Sequence, residues 1–272
     1  MYHHVSPTAG IITTTPRNFE SQIAGLVSHG YRSLSADEFA GFLAGQPVPE
    51  KSVMITFDDG YLDNWVYAHP VLKKYGMKAS LFLITGLIGE GPVRPVHGEH
   101  HDLPPIDGHM QAKAMLAAGT TDPVMLRWSE VLAMREAGSF EFHSHTHTHT
   151  RWDLLAPTRE AALVHMQQEF TTSRAALQER LGSVSEHFCW PQGYFDAQYV
   201  ALAQAAGFKY LYTTIAHDQN LAGSDPACIY RFAVRNRRFN WLWQRTWLGA
   251  HPVIGPLYNR WKSWKKARRT KV

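Results

Sequence analysis

"MITFDDGYLDN", residues 54–64, sets an apolar run against two adjacent carboxylates, Asp58 and Asp59. With Ser52 and Val53 before it, the run reads as a buried strand, and Gly60 as the turn that ends it. Like charges side by side at a strand end cost energy unless positive charge lies next to them or water solvates them as an ordinary Asp-Asp-Gly turn. Which of the two applies depends on what the rest of the chain brings to that strand end.

Strand-like and helical stretches alternate on both sides of it. "MYHHV" reads as a short strand, and the next helix carries Phe19, Ile23, Leu26 and Val27 at helical spacing with Gly30 as its stop. Ser35 and Glu38 have capping-box spacing, which predicts a second helix before residue 52. Residues 61–75 can form a helix ended by Gly76, and "ASLFLIT" (79–85) is an apolar run of the kind buried on both faces of a parallel sheet. The pattern continues with "SEVLAMREAG" as helix, "SFEFHSH" as strand and 158–181 as a long helix closed by Gly182. "EHFCWP" follows as strand, 196–206 as helix and "KYLYTTI" as strand. Such units predict an α/β fold, either a barrel or an open doubly wound sheet. Residues 87–126 interrupt the alternation with Gly, Pro and four histidines, His97, His100, His101 and His109. The stretch reads as a long insertion over the site, its histidines as surface residues.

Composition narrows the classes. The 272 residues are 44% apolar and 18% charged, enough for one large core and unlike a disordered chain. Cys189 and Cys228 form no CxxC pair and no disulfide framework. There is no basic and apolar leader at "MYHHVSP" and no run of about 18 apolar residues, so a cytoplasmic protein without a signal peptide or membrane-spanning helix is expected.

"EFHSHTHTHT" (141–150) alternates His143, His145, His147 and His149 at the end of a strand. Packing explains four such histidines poorly, whereas a pair four apart in a strand-to-loop transition can converge on one ion. One carboxylate of the Asp58 and Asp59 pair with two imidazoles makes a catalytic Zn²⁺ set that keeps a coordination position open. The cation would relieve the repulsion between the carboxylates and leave the second one as a general base.

Three stretches together resemble the polysaccharide deacetylases of carbohydrate esterase family 4, with their NodB-like domain: "TFDDGY" (56–61), "HTHTH" (145–149) and "FCWPQGY" (188–194). "YHHV", "LRWSEVLAMREAG" and "IYRFAV" (229–234) are further similar to the branch that deacetylates poly-β-1,6-N-acetylglucosamine. The resemblance covers about residues 1–236 and implies a distorted (β/α) barrel of about seven parallel strands acting on N-acetylated glycans with a divalent metal, Zn²⁺ first. It implies Asp58 as general base and Asp59, His145 and His149 as metal ligands, with Tyr61, Pro191 and Gly193 lining the substrate. The backbone N–H of Tyr194 would serve the oxyanion. The histidine register has an alternative, His143 with His147, which also fits the spacing. Many relatives carry an Arg two residues before the motif's proline to position the base, and this chain has Cys189 there. His217 and His251 are the candidates for general acid, and neither sits in a good match.

Residues 237–272 lie beyond the resemblance. Residues 235–272 hold eleven Lys and Arg, no Asp or Glu, and five tryptophans, so a chain of net charge +4 has a net negative body and a basic tail. Tryptophan interleaved with cations suits an anionic membrane, at its inner face, and the alternative is that 237–257 packs on the barrel and only the last dozen residues form a solvated basic end. Single-stranded nucleic acid is the less favoured partner. Two other activities compete with glycan deacetylation: hydrolysis of a small non-carbohydrate amide, and glycan binding by a pseudoenzyme.

Overall fold

The computed structural model describes residues 1–8, 10–99 and 102–269, so His100 and His101 lie outside the described residues. The strands are β1 (His4–Val5), β2 (Thr13–Thr14), β3 (Arg32–Ser33), β4 (Ser52–Val53), β5 (Thr56–Asp59), β6 (Ala79–Leu83), β7 (Phe140–Ser144), β8 (His187–Cys189) and β9 (Tyr210–Tyr212). The helices are α1 (Pro16–Ser28), α2 (Ala36–Leu43), α3 (His69–Tyr75), α4 (His109–Ala117), α5 (Trp128–Glu136), α6 (Trp152–Leu155), α7 (Arg159–Leu181), α8 (Ala197–Ala205), α9 (Phe239–Ala250) and α10 (Ile254–Arg269). A π-helical turn at Asn64–Ala68 leads into α3. The capping box at Ser35 and Glu38 forms at the start of α2, and Gly76 and Gly182 end α3 and α7 in the left-handed region, where a residue without Cβ carries no penalty.

β5 to β9 form one parallel sheet in sequence order. Among the described residues this sheet has five regular strands, where about seven are expected. On one flank Tyr2 makes a single parallel bridge to Phe57, and on the other Ile229 bridges Tyr212. These two segments then meet: the Met1 nitrogen is 3.0 Å from Phe232 O, and the Val234 N–H donates to Met1 O at 3.0 Å. They contribute isolated bridges instead of ladders because β1 turns away to pair with β2, and "SVMITF" splits so that Ser52 and Val53 pair with β3.

The register decides which side chains share a face. Asp58, Phe82 and His143 lie side by side across β5, β6 and β7, as do Cys189 and Tyr212 across β8 and β9. They line the inner face, where Phe82, Cys189 and Tyr212 pack in one buried cluster. The alternate residues Phe57, Leu81, Leu83, Phe140 and Phe142 face outward onto Phe19, Ile23 and Leu26 of α1 and Leu72 of α3. A second cluster joins Phe188 and Trp190 to Phe170 of α7 and Tyr199 of α8. Burying a Phe or Leu side chain stabilises by about 1.5–3 kcal/mol, so helices on the outer face hold the sheet edge-on to the site. Within the described part of 87–126, α4 forms and Arg94 makes an ion pair of 2.7 Å with the fully buried Glu130 of α5.

Candidate active site

Asp58 and Asp59 end β5, and Asp59 takes a left-handed φ of 78°, followed by Gly60 at 93°. Strain of this kind persists only where the surroundings fix it. The turn sends the two carboxylates into different company. Asp58 is held by Arg231, whose Nη1 and Nη2 donate to its two oxygens at 2.7 and 2.9 Å. Arg231 is itself buried and fixed by donation to Thr213 O at 3.0 Å and Thr56 Oγ1 at 3.2 Å, and its Nη2 lies 2.8 Å from Cys189 Sγ. Burial pushes the Asp58 pKa up, but Arg231 and then His3 outweigh it and bring it down to about 2.

Asp59 meets imidazoles instead. Its Oδ1 lies 3.4 Å from His145 Nε2 and 3.7 Å from His149 Nε2, and the ligand atoms of all three residues are within 4.8 Å of one another. His145 Nδ1 is 2.8 Å from Cys189 O; the carbonyl can only accept, so Nδ1 carries a proton, and Nε2 is the nitrogen turned to Asp59, donating a proton to that carboxylate in the absence of a cation and free to offer its lone pair to one when unprotonated. Burial raises the Asp59 pKa, yet the hydrogen bond with His145 and the charges of His149 and His3 hold it far below the carboxylate range. A second set, Asp58, His145 and Cys189, also has its atoms within 4.8 Å. Arg231 occupies Asp58 and Cys189 from the other side, so a cation there would face a guanidinium, and the Asp59 set is the one that fits a metal.

The alternation of "HSHTHTHT" does not continue as a strand. β7 stops at Ser144, Thr146 and His149 take φ of 68° and 63°, and the chain folds back so that His149 returns to Asp59. Glu169 of α7 organises this loop: its carboxylate accepts from the N–H groups of His147 and Thr148, both at 2.7 Å, and from Trp152 Nε1 at 3.1 Å. His143 and His147 face elsewhere, with His143 Nδ1 at 2.7 Å from Ser185 Oγ and His147 Nδ1 at 3.0 Å from Thr85 Oγ1.

The other expected residues divide. Tyr61 is buried and stacks on His4 at 3.8 Å, and burial with the nearby Asp59 and Asp63 charges pushes its hydroxyl pKa up. Pro191 and Gly193 form the turn after β8, where a Cβ on Gly193, at φ 72°, would overlap the Thr214 side chain. The Tyr194 N–H, expected at the oxyanion, instead donates to Pro191 O at 3.2 Å and closes that turn. His251 Nδ1 accepts from the N–H groups of Val253 and Ile254 and so caps the start of α10, and His217 lies in the loop after β9.

Three residues were missed. Arg231 replaces the arginine absent at Cys189, and its signal was a lone cation among the apolar residues of "IYRFAV". His3 Nε2 stands 3.9 Å from Asp58 Oδ2, and its side chain, like that of His149, is about one fifth exposed while Asp58 and His145 are sealed, so the site opens between those two rings. His109, from the insertion, reaches His4 at 3.2 Å, while His4 is held by Asp63 at 2.7 Å. A cavity of about 410 Å³ lies on the far side of Arg231 and Thr56, lined by Phe39, Met54 and Ile229, and holds none of the donor set.

Residues 45–211 match the family model described as polysaccharide deacetylase. The chain belongs to the polysaccharide deacetylase family. YxkH, a polysaccharide-deacetylase-type protein of Bacillus subtilis, is 44% identical over 90 residues, 33% of this chain and 32% of that one. The poly-β-1,6-N-acetyl-D-glucosamine N-deacetylase of Staphylococcus aureus is 45% identical over 74 residues, 26% of this chain and 25% of that one. These matches thus span a third or less of either curated relative. Among solved structures, IcaB from Ammonifex degensii superposes with a TM-score of 0.69 at 24% identity, covering 90% of this chain and 94% of that one. The Streptococcus pyogenes deacetylase PplD, solved with acetate, gives 0.71 at 20% identity, covering 93% and 96%. Both show that the deacetylase fold extends over nearly the whole chain.

The Asp58 pair has a consequence for acid stability. Folding depresses this pKa from 3.8 to about 2, so its contribution is complete above the unfolded value and is lost as pH falls through the folded one. The amount is on the order of 2 kcal/mol. Urea midpoints of wild type and Asp58→Asn are therefore expected to draw together between about pH 5 and pH 2, and a gap that stays constant would show that Asp58 is not the depressed group.

Proposed function

We propose that this chain is a divalent-metal-dependent hydrolase that removes N-acetyl groups from an N-acetylglucosamine-containing polysaccharide or lipid-linked glycan, with Zn²⁺ as the metal. The observation that carries the reading is the division of labour between neighbouring carboxylates. Asp58 is kept ionised by a guanidinium and away from the cation set, while Asp59 joins two imidazoles. One carboxylate and two neutral imidazoles suit Zn²⁺ and leave a position open. A cation held by Asp59, His145 and His149 supplies Lewis-acid polarisation of the acetyl carbonyl.

This chain's own residues do the rest. Asp58 takes the proton of the attacking water; its depressed pKa makes it available at any neutral pH, and Arg231 fixes which oxygen faces the site. His3 stands at the opening beside Asp58 and takes the place of His217 and His251 as the donor to the departing amine. Burial lowers its pKa, opposed by Asp59 and Asp58, so it rests neutral and becomes a donor after gaining a proton within the site. The named activity of the Staphylococcus aureus relative supports the β-1,6-linked substrate. Acetate release from β-1,6 and β-1,4 N-acetylglucosamine oligomers, by metal-stripped protein with and without Zn²⁺, tests the proposal. Zinc-dependent release is expected, faster on the β-1,6 oligomer. Tight zinc binding with no release from either would transfer the site to a small amide or to glycan binding without turnover.

A further inference from the structure

The basic tail forms two helices whose inner and outer faces differ. α9 docks on α1 through Phe239, which sits where a Cβ on Gly25 would be, and through the buried Leu242. Arg245 of the same helix donates to Ala216 O at 2.6 Å and lies over the Phe232 ring. α10 turns back on α9 through Gly255 and the buried Asn259. Opposite these contacts, Ile254, Leu257, Trp261 and Trp264 recur at i, i+3, i+7 and i+10 of α10 and are 41–61% exposed. Trp243 and Trp247 of α9, one turn apart, are 41% and 43% exposed. Packing of 237–257 on the barrel thus holds for Phe239 and Leu242, while Trp243, Trp247, Ile254 and Leu257 within that span stay exposed.

Cations border the stripe. Lys262 and Lys265 place their ammonium groups 5.1 and 5.2 Å from the Trp261 ring centroid, and Lys262 also lies over Tyr258. No Asp or Glu occurs anywhere in residues 235–272 to offset them. Indoles beside ammonium groups, on a helix with one apolar stripe, match the headgroup layer of a bilayer, where rings rest at the acyl boundary and cations meet lipid phosphates. No helix among the described residues is long and apolar enough to cross a membrane, so the contact lies in the plane of the surface.

We infer that the outer face of α9 and α10 is a docking surface for an anionic lipid bilayer, with Trp261 and Trp264 inserted at the interface and Lys262 and Lys265 paired with lipid phosphates. Neither the fold of the body nor its chemistry enters the inference, which stands apart from the deacetylase reading. A bare cationic tail would bind through charge alone and release completely in salt. This surface adds apolar burial, so binding keeps a salt-resistant part that depends on the indoles.

Flotation of the full chain with phosphatidylcholine vesicles, with and without phosphatidylglycerol, tests it. Association is expected with the anionic vesicles and to be much weaker with the zwitterionic ones. Lys262→Gln with Lys265→Gln should weaken it by about 25-fold, at roughly one factor of five per cation. Trp261→Ser with Trp264→Ser, two exposed changes that leave the body intact, should abolish the salt-resistant part. Quenching of tryptophan fluorescence by brominated acyl chains should fall in the same variant. Absence of flotation with anionic vesicles overturns the inference, as does flotation that ignores both double substitutions. So does a tail that binds a single-stranded oligonucleotide and leaves vesicles alone. None of these readouts involves deacetylation, so a failed activity assay leaves this result standing, and the reverse.

Discussion

Asp58→Asn is expected to lower kcat by about 10³-fold, within the range that a positioned general base contributes, while leaving Zn²⁺ affinity within a few-fold of wild type. The two halves of that expectation come from the two environments at the end of β5. Asn keeps the shape of Asp58 and one acceptor for Arg231, so the pocket stays closed, but it has no lone pair basic enough to take a proton from water at neutral pH. The cation set does not include it: Asp59, His145 and His149 keep their places, and Nδ1 of His145 remains tied to Cys189 O. Asp59→Asn should do the opposite and cost Zn²⁺ affinity first, since it replaces an anionic ligand by a neutral one. Steady-state rates beside calorimetric zinc titrations of both variants check the assignment. If Asp58→Asn weakened zinc as much as Asp59→Asn, the roles of base and ligand would be shared or reversed.

How far this was legible in the sequence depended on whether a residue's role was set by local periodicity or by distant pairing. The helices found at 16–28, 36–43 and 159–181 were legible as elements from apolar spacing before Gly30, the capping box at Ser35 and Glu38, and the closing Gly182, signals that act over one or two turns. The meeting of Asp59 with His145 and His149 was also legible, because an acid pair after one apolar strand and histidines after another leave few places other than the same end of one parallel sheet, here the ends of β5 and β7 on either side of β6. What the sequence hid was closure. Tyr2 and Ile229 join the sheet through one bridge each, and no pattern of alternation distinguishes a single bridge from a strand, hence five regular strands where about seven were expected. His3 reaches Asp58 for the same reason, from 55 positions away along the chain and one bridge across the sheet. The Tyr194 N–H was misplaced because a glycine turn that looks open in sequence closes on Pro191 O. In the insertion, α4 went unread because it starts after Gly108 with no side-chain cap and no acidic residue in its first turn, among Gly and Pro that read as loop. Cys189 invited doubt about Asp58 only because motif reading assigns support by position, whereas electrostatics accepts a guanidinium from any strand that delivers one.

Arg231 is therefore where a single change should reach both stability and rate. Arg231→Gln leaves a carboxylate sealed from water with its two charge-assisted hydrogen bonds gone, and removing one partner of such a pair costs about 3–5 kcal/mol. The same loss raises the Asp58 pKa, because burial then acts with little to oppose it, and the acid limb of the kcat/KM profile should move to higher pH. A merely structural arginine would lower stability without moving that limb. Arg231→Lys should fall between: an ammonium keeps the charge, but it cannot span both Asp58 oxygens while also reaching Thr56 Oγ1 and Thr213 O, four acceptors that the planar fork meets at once. The double variant Asp58→Asn with Arg231→Gln separates the pair from its surroundings. With the anion gone, losing the guanidinium should cost at least 2 kcal/mol less than it does beside the native carboxylate, the coupling expected between buried partners in contact. Equal costs in both backgrounds would mean that Arg231 acts through Phe82, Tyr212 and the backbone it fastens rather than through Asp58, and the support of the base would then have to be sought at His3.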